Sequence, residues 1–284
     1  MRPGAMRLDE ITRSVDTLPA MGGAALRVLA LIEDAQASAA RIEKALREDP
    51  GVTANLLRLA NSAYFGIPSR IGSLRQAVSL LGLRRVTQMV VAACAAAVLQ
   101  RPVEGYDLPA GELWRHSLAV SVAAEGLVRE LGIGAGEEIF TAALLHDVGK
   151  IVLGRFVSEE MARIEAALGR GLTFEEAETA ALGVDHAAVG ADLLARWALP
   201  ADIVYAVRWH HDPDRAPASH PMLDVVHVAN VLCRMIGIGL GREGLQTEPS
   251  ETVTRRLGVG TGHLERVASR TLQWANELAQ ALAA

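Results

Sequence analysis

Apolar residues in this chain recur at helical spacing and nowhere sustain the alternation of a half-buried strand. Leu26, Leu29, Ala30 and Ile32 follow the i, i+3, i+4 pattern of an amphipathic helix, as do Ile42, Ala45 and Leu46. That periodicity predicts an all-α protein with no sheet. Punctuation residues divide it into helices. Asp49-Pro50, Ser73 to Gln76, Thr173 to Glu176 and Asp185 are N-terminal capping signals, and Gly82 is a stop. Helices are expected over about 83–101, 111–131, 137–145, 186–197, 223–238 and 263–282. With aromatics at 4%, the core must be built from Ala, Leu and Val.

The segment 101–109 holds Pro102, Gly105 and Pro109 and is the best internal boundary. The expected organisation is a leader over 1–15 and a main unit over 16–240. That unit has an N-terminal helical half (16–101) and a second half (110–240), and a helical extension follows over 241–284.

Several function classes are disfavoured. The net charge is -5, with 33 acidic against 28 basic residues, so a nucleic-acid partner is not expected. The longest apolar run, 89–99, is too short to span a bilayer, so no membrane partner is expected either. No signal peptide opens the chain, and Cys94 and Cys233 both lie in apolar helical runs. They read as small buried hydrophobes in a reducing compartment, which points to the cytoplasm.

Chemistry concentrates at Leu144 to Lys150, where His146 and Asp147 stand between an apolar run and Gly149. A charged pair there is costly unless something pairs with it. Lys150 is one of only two lysines. Five of the eight histidines form an ordered series: His116, His146, His186, His210 and His211. Four of these five fall at predicted helix ends, where side chains from different helices can meet in one cleft. Imidazole and carboxylate are good ligands for Fe, Mn or Zn. No two share the i, i+4 spacing of a single-helix site, so a metal site would be assembled from several helices. His220, His227 and His263 fit no pattern and read as structural.

That ordered set resembles the HD superfamily of metal-dependent phosphohydrolases, and Leu144 to Lys150 is similar to the HDxGK core of its HD-GYP branch. The Gly-Tyr-Pro signature of that branch is missing after His210-His211, where the chain reads Asp212-Pro213-Asp214. Asn230 stands where the superfamily places its last Asp. The first half, with Leu18-Pro19-Ala20, Asp49 to Thr53, Leu56 to Gly66, Ile71 to Val78 and Leu81-Gly82, resembles the bacterial HDOD family. Leu113 to Leu118 and Gly183 to Gly190 do so too.

The resemblance implies an HD-like helical bundle with an N-terminal helical subdomain packed on it. It also implies a signalling or regulatory module with no settled activity. Replacing Asp by Asn at 230 removes charge and a strong ligand. The expected function is therefore a non-catalytic or weakly catalytic module that acts by binding a signalling protein or a nucleotide-like ligand. His116, His146, Asp147, His186, His210 and His211 are the candidate metal ligands, and Lys150 and Asn230 the candidate ligand-binding residues. A metal-dependent phosphohydrolase is the alternative. The apolar face of the last helix (Val267, Leu272, Leu278, Leu282) could pack on its own chain or form a homodimer.

Overall fold

The structure is a computed structural model that describes residues 10–11, 13, 38–46, 50–244 and 248–283. Leu18-Pro19-Ala20, the helix expected near Leu26, and the Asp49 cap lie outside those residues. Among the described residues the regular structure is helical, and the only β-type pairing is an isolated bridge between Val103 and Leu108. No helix there is long and apolar enough to cross a membrane.

The first half contains α1 (Ala39–Leu46), α2 (Pro50–Ala60), α3 (Leu74–Leu81) and α4 (Leu83–Leu99). Ser73 caps α3 by accepting from the Gln76 backbone N–H. The reciprocal half of the expected capping box is shifted by one residue, because Gln76 Oε1 accepts from Gly72 rather than from Ser73. Helix α4 is buried on nearly every side from Val86 to Ala96. Ala92, Ala93, Ala95 and Ala96 keep it thin enough for neighbours to approach closely.

The second half is organised around α5 (Glu112–Leu131), which is packed by α6 (Ile139–Leu145), α12 (Pro221–Met235) and α14 (Thr261–Ala283). Between them run α7 (Gly149–Glu159), α8 (Met161–Leu168), α9 (Phe174–Leu182), α10 (His186–Arg196) and α11 (Ala201–Trp209). Thr173 and Glu176 form the expected reciprocal capping box on α9, and Asp185 caps α10. Helix α12 starts two residues earlier than its apolar run predicts. His220 caps it with its ring nitrogen, and Pro221 suits the first turn, where a missing N–H is harmless. The short helix α13 (Glu251–Leu257) is tied back by Arg256, which grips the buried carboxylate of Asp224 at 2.6 and 2.5 Å.

The segment between the halves is itself packed. Its single turn Glu104–Tyr106 lies on α7, and a Cβ at Gly105 would overlap the carbonyl oxygen of Gly154. The last helix crosses both halves, touching α2 and α5. Val267 and Leu278 of its expected apolar face are buried within the chain, whereas Leu272 is exposed.

Candidate metal centre

Helix ends deliver the site. His146 is the C-cap of α6, His186 the first residue of α10, and His210 the C-cap of α11. His116 comes from the second turn of α5, and Asn230 from α12. Asp147 stands in the turn between α6 and α7. That turn is held against α10 by two glycines in backbone contact. A Cβ on Gly149 would overlap the His186 carbonyl oxygen and stand 2.6 Å from the Gly190 nitrogen. Nothing larger than glycine fits at position 149 at this approach.

Asp147 is the centre. His146 Nε2 lies 3.3 Å from Oδ2 and His116 Nε2 lies 3.6 Å from it. His186 Nε2 is 3.3 Å and His210 Nε2 3.5 Å from Oδ1. The sets His116–His146–Asp147 and Asp147–His186–His210–His211 each offer donor atoms within 4.8 Å of one another, and they share Asp147. All are buried except His211, which is partly so.

The other nitrogen of each ring fixes what these atoms are. His146 Nδ1 donates to Ala143 O at 2.7 Å and His210 Nδ1 to Val207 O at 2.7 Å. His116 Nδ1 donates to Ile238 O at 3.1 Å. A neutral imidazole that donates at Nδ1 is an acceptor at Nε2. These Nε2 lone pairs therefore face a carboxylate, which is also only an acceptor. His146 Nε2, His210 Nε2 and Asp147 Oδ1 have no hydrogen-bond partner within the protein. Acceptors that converge without donors in a buried space are arranged for a cation. The site residues therefore fit a divalent metal.

His186 is pinned differently. Glu178, fully buried on α9, accepts from the His186 backbone N–H at 2.9 Å and lies 2.9 and 3.1 Å from Nδ1. It also binds the Tyr106 hydroxyl. Burial opposes a charge on His186, but Glu178 and Asp147 outweigh it and hold the ring well above its ordinary pKa. A proton there balances the carboxylates when no metal does. Burial pushes His116 down to about 3 and His210 to about 4, and keeps His211 well below the usual range. The Asp147 carboxyl is also buried, yet the Lys150 ammonium at 2.7 Å holds it well below the usual carboxylate range.

Lys150 points inward. Its Nζ is 2.7 Å from Asp147 Oδ2 and 2.7 Å from Glu243 Oε2. Asn230 Oδ1 stands 3.0 Å from His116 Nε2. With its oxygen facing that nitrogen, the amide adds one more acceptor to the cluster; turned over, it would donate there. All eight residues singled out in the sequence thus meet in one place. Glu178, Tyr106, Glu175 and Glu243 are the partners the sequence did not reveal. Glu175 Oε1 is 3.2 Å from His211 Nδ1. A faint signal existed for Glu178, a charged residue on the apolar side of α9 beside Ala177 and Ala181.

Comparison with known proteins agrees with this architecture. The family model described as "HDOD domain" matches residues 18–213. The crystal structure of an HDOD domain protein of unknown function from Geobacter sulfurreducens superposes with a TM-score of 0.76 at 25% identity, covering 98% of this chain and 97% of that one. A phosphohydrolase candidate from Shewanella amazonensis SB2B shares the fold, with a TM-score of 0.76 at 23% identity over 96% and 97% of the two chains. An uncharacterized protein of Treponema pallidum (strain Nichols) is 28% identical over 229 residues. That match covers 80% of this chain but 44% of the relative's length.

Proposed function

The chain belongs to the HDOD family, and from that premise we propose that it is a signalling module whose His–Asp cluster holds a divalent metal without turning over a substrate. The observation that carries this reading is the convergence of acceptor nitrogens on Asp147 in a place solvent does not reach. His146, Asp147, His186 and His210 are 0% exposed, and Lys150 and Asn230 2%. A metal centre that works on phosphate esters must admit the ester and a water. Here only the edge at His211 is partly exposed, with its side chain 10% accessible.

His186, His210, His211 and Asp147 would hold the ion, and its bonds would tie together α10, the end of α11 and the turn before α7. Fe, Mn or Zn suits the nitrogen-rich donor set. When bound, such an ion would supply charge and cross-linking to the fold, as structural metals do. The second set, His116, His146 and Asp147, has neutral Asn230 in place of a further carboxylate and would hold an ion less firmly. The module would then act through a partner signalling protein or a nucleotide-like ligand.

Elemental analysis of the purified chain tests the reading. We expect about one transition-metal ion per chain, and a fall in Tm on chelation of roughly 5–11 °C if the free ion had stood near a hundred times its Kd. A chain grown in metal-rich medium that carries no such ion refutes it. The second reading, a metal-dependent phosphohydrolase, draws on the paired donor sets and on Lys150 as a point charge for phosphate. Hydrolysis of phosphoesters or cyclic dinucleotides with added Mn or Fe, abolished by His146→Ala, would establish it instead.

A further inference from the structure

One segment closes the pocket, and it does so with a carboxylate. Beyond α12 the chain turns at Gly237 and Gly239, both at positive φ, and crosses the mouth of the site. Ile238 O receives the His116 Nδ1 proton. Gly239 lies so close that a Cβ would overlap the His116 ring. Gly241 has the same relation to Tyr106 O, which also accepts from the Arg242 N–H at 2.9 Å. Arg234 Nη2 clamps the carbonyls of Glu243 and Gly244 at 3.1 and 3.0 Å. Glu243 then turns inward to Lys150 with its side chain 4% exposed.

The Glu243 contact is incomplete. Lys150 is already neutralised by Asp147, its neighbour one turn away. Glu243 adds a second buried negative charge to the same ammonium, and its Oε1 is buried without a hydrogen-bond partner. An unsatisfied oxygen on a buried charged group is costly, because its lost hydration is not replaced. A tetrahedral oxyanion, with more acceptor atoms and a rounder shape, would use the Lys150 donors and the neighbouring cations better.

We propose that the strap from Ile238 to Gly244 is an internal plug, in which Glu243 holds the place of a phosphate group on Lys150, and that a phosphate or phosphate ester displaces it. The inference rests on the cluster being a binding pocket, and it deepens that reading by naming the ligand chemistry and the part that moves. Opening the strap breaks the Arg242 bond to Tyr106 O, the two carbonyl contacts of Arg234 Nη2 and the His116 Nδ1 bond together. Phosphate binding at the core is thereby converted into a change at the surface, where Leu240 and Arg242 stand exposed.

Titration calorimetry on the full chain tests this, with inorganic phosphate and adenosine 5′-monophosphate as probes. Glu243→Gln keeps the side-chain shape and removes the competing charge. Glu243→Asp keeps the charge and withdraws it from Lys150. Both variants should bind phosphate at least about tenfold more tightly than wild type, equivalent to about 1.4 kcal/mol. Lys150→Ala in either background should abolish the gain. Tightening for both probes assigns a phosphate-ester pocket, and tightening for phosphate alone assigns a free-anion pocket.

Hydrogen exchange at the Arg242 amide should quicken in the folded Glu243 variants. Equal phosphate affinity in wild type and both variants, or a gain that survives Lys150→Ala, overturns the proposal. So does unchanged exchange at Arg242. Metal content measured on the same samples separates the two readings. Metal present with no gain in phosphate affinity sinks the plug alone, and a Lys150-dependent gain in metal-free protein sinks the metal centre alone.

Discussion

Gly149→Ala probes the geometry on which the whole site depends. The new methyl would overlap the His186 carbonyl oxygen, with the Gly190 nitrogen at 2.6 Å and the His186 carbonyl carbon at 2.9 Å. All three obstacles are backbone, so no rotamer change relieves them; α7 and α10 must separate. Overpacking that side chains can absorb costs about 1–3 kcal/mol, and a backbone clash belongs at or beyond the upper end. Alanine's better helix propensity returns about 1 kcal/mol. The net expectation is a loss of about 2–4 kcal/mol, or about 4–16 °C in Tm at roughly 2–4 °C per kcal/mol. Gly190→Ala meets nothing nearer than Gly149 N at 3.1 Å, with Val207 Cγ1 at 3.3 Å and Gly149 Cα at 3.5 Å. It should cost about 1 kcal/mol or less once the propensity gain is included. Gly134→Ala meets nothing within 4 Å and serves as the control. Thermal melts with metal analysis on the same samples read both effects, because separating the helices also moves Asp147 from His186. A Gly149→Ala protein that melts at or above wild type, or no lower than Gly190→Ala, refutes the argument that this approach holds the site together.

Other consequences follow from individual contacts. Glu178→Gln replaces an acceptor of three hydrogen bonds by a group with one oxygen; metal affinity should drop about 10–100-fold, and an unchanged competitive chelator titration counts against the pinning role. In chelated protein, His116 and His210 stay neutral when folded until about pH 3 and about pH 4, but protonate near 6.5 when unfolded. The unfolded chain then binds more protons within that window, so urea stability should fall as pH drops from about 6.5 toward 4, and a flat profile there contradicts the burial argument. Tyr64→Phe removes the 2.7 Å bond to Glu125, which also pairs with Arg85 at 2.5 Å; a loss of about 1–2 kcal/mol in denaturant titration is expected, and no loss means the contact is idle.

What the sequence shows and what it hides divide along a physical line. Helix periodicity is a local property, so the all-α class and most helix limits could be read directly. The ordered histidines could be read because helix ends announce themselves: Asp185 caps α10 and places His186 first in it. Their partners could not. Glu178 sits eight residues before His186 and meets it only through the turn after α9. Tyr106 reaches Glu178 across 72 positions. Glu243, in a glycine-rich stretch with no periodicity, is drawn inward by Lys150 from 93 positions away. Sequence spacing carries no information about such contacts, because the intervening helices set the distance. Tyr64 shows the same limit: a loop aromatic could face solvent or core, and only the fold reveals its edge against Trp274.

Charge accounting then argues for one ion rather than two. In the metal-free protein, Lys150 and Arg234 answer Asp147 and Glu243, while a proton on His186 answers Glu178. A divalent ion at Asp147, His186, His210 and His211 would expel that proton and leave a surplus positive charge, which an incoming phosphate can match. A second ion at His116 and His146 would enlarge the surplus where Asn230 has no charge to offer. Restoring a carboxylate there with Asn230→Asp should therefore raise the metal content toward two ions per chain, within reach of His116 Nε2 at 3.0 Å from the present amide oxygen. An Asn230→Asp protein that folds and still holds the wild-type amount of metal would show that something other than charge empties the second set.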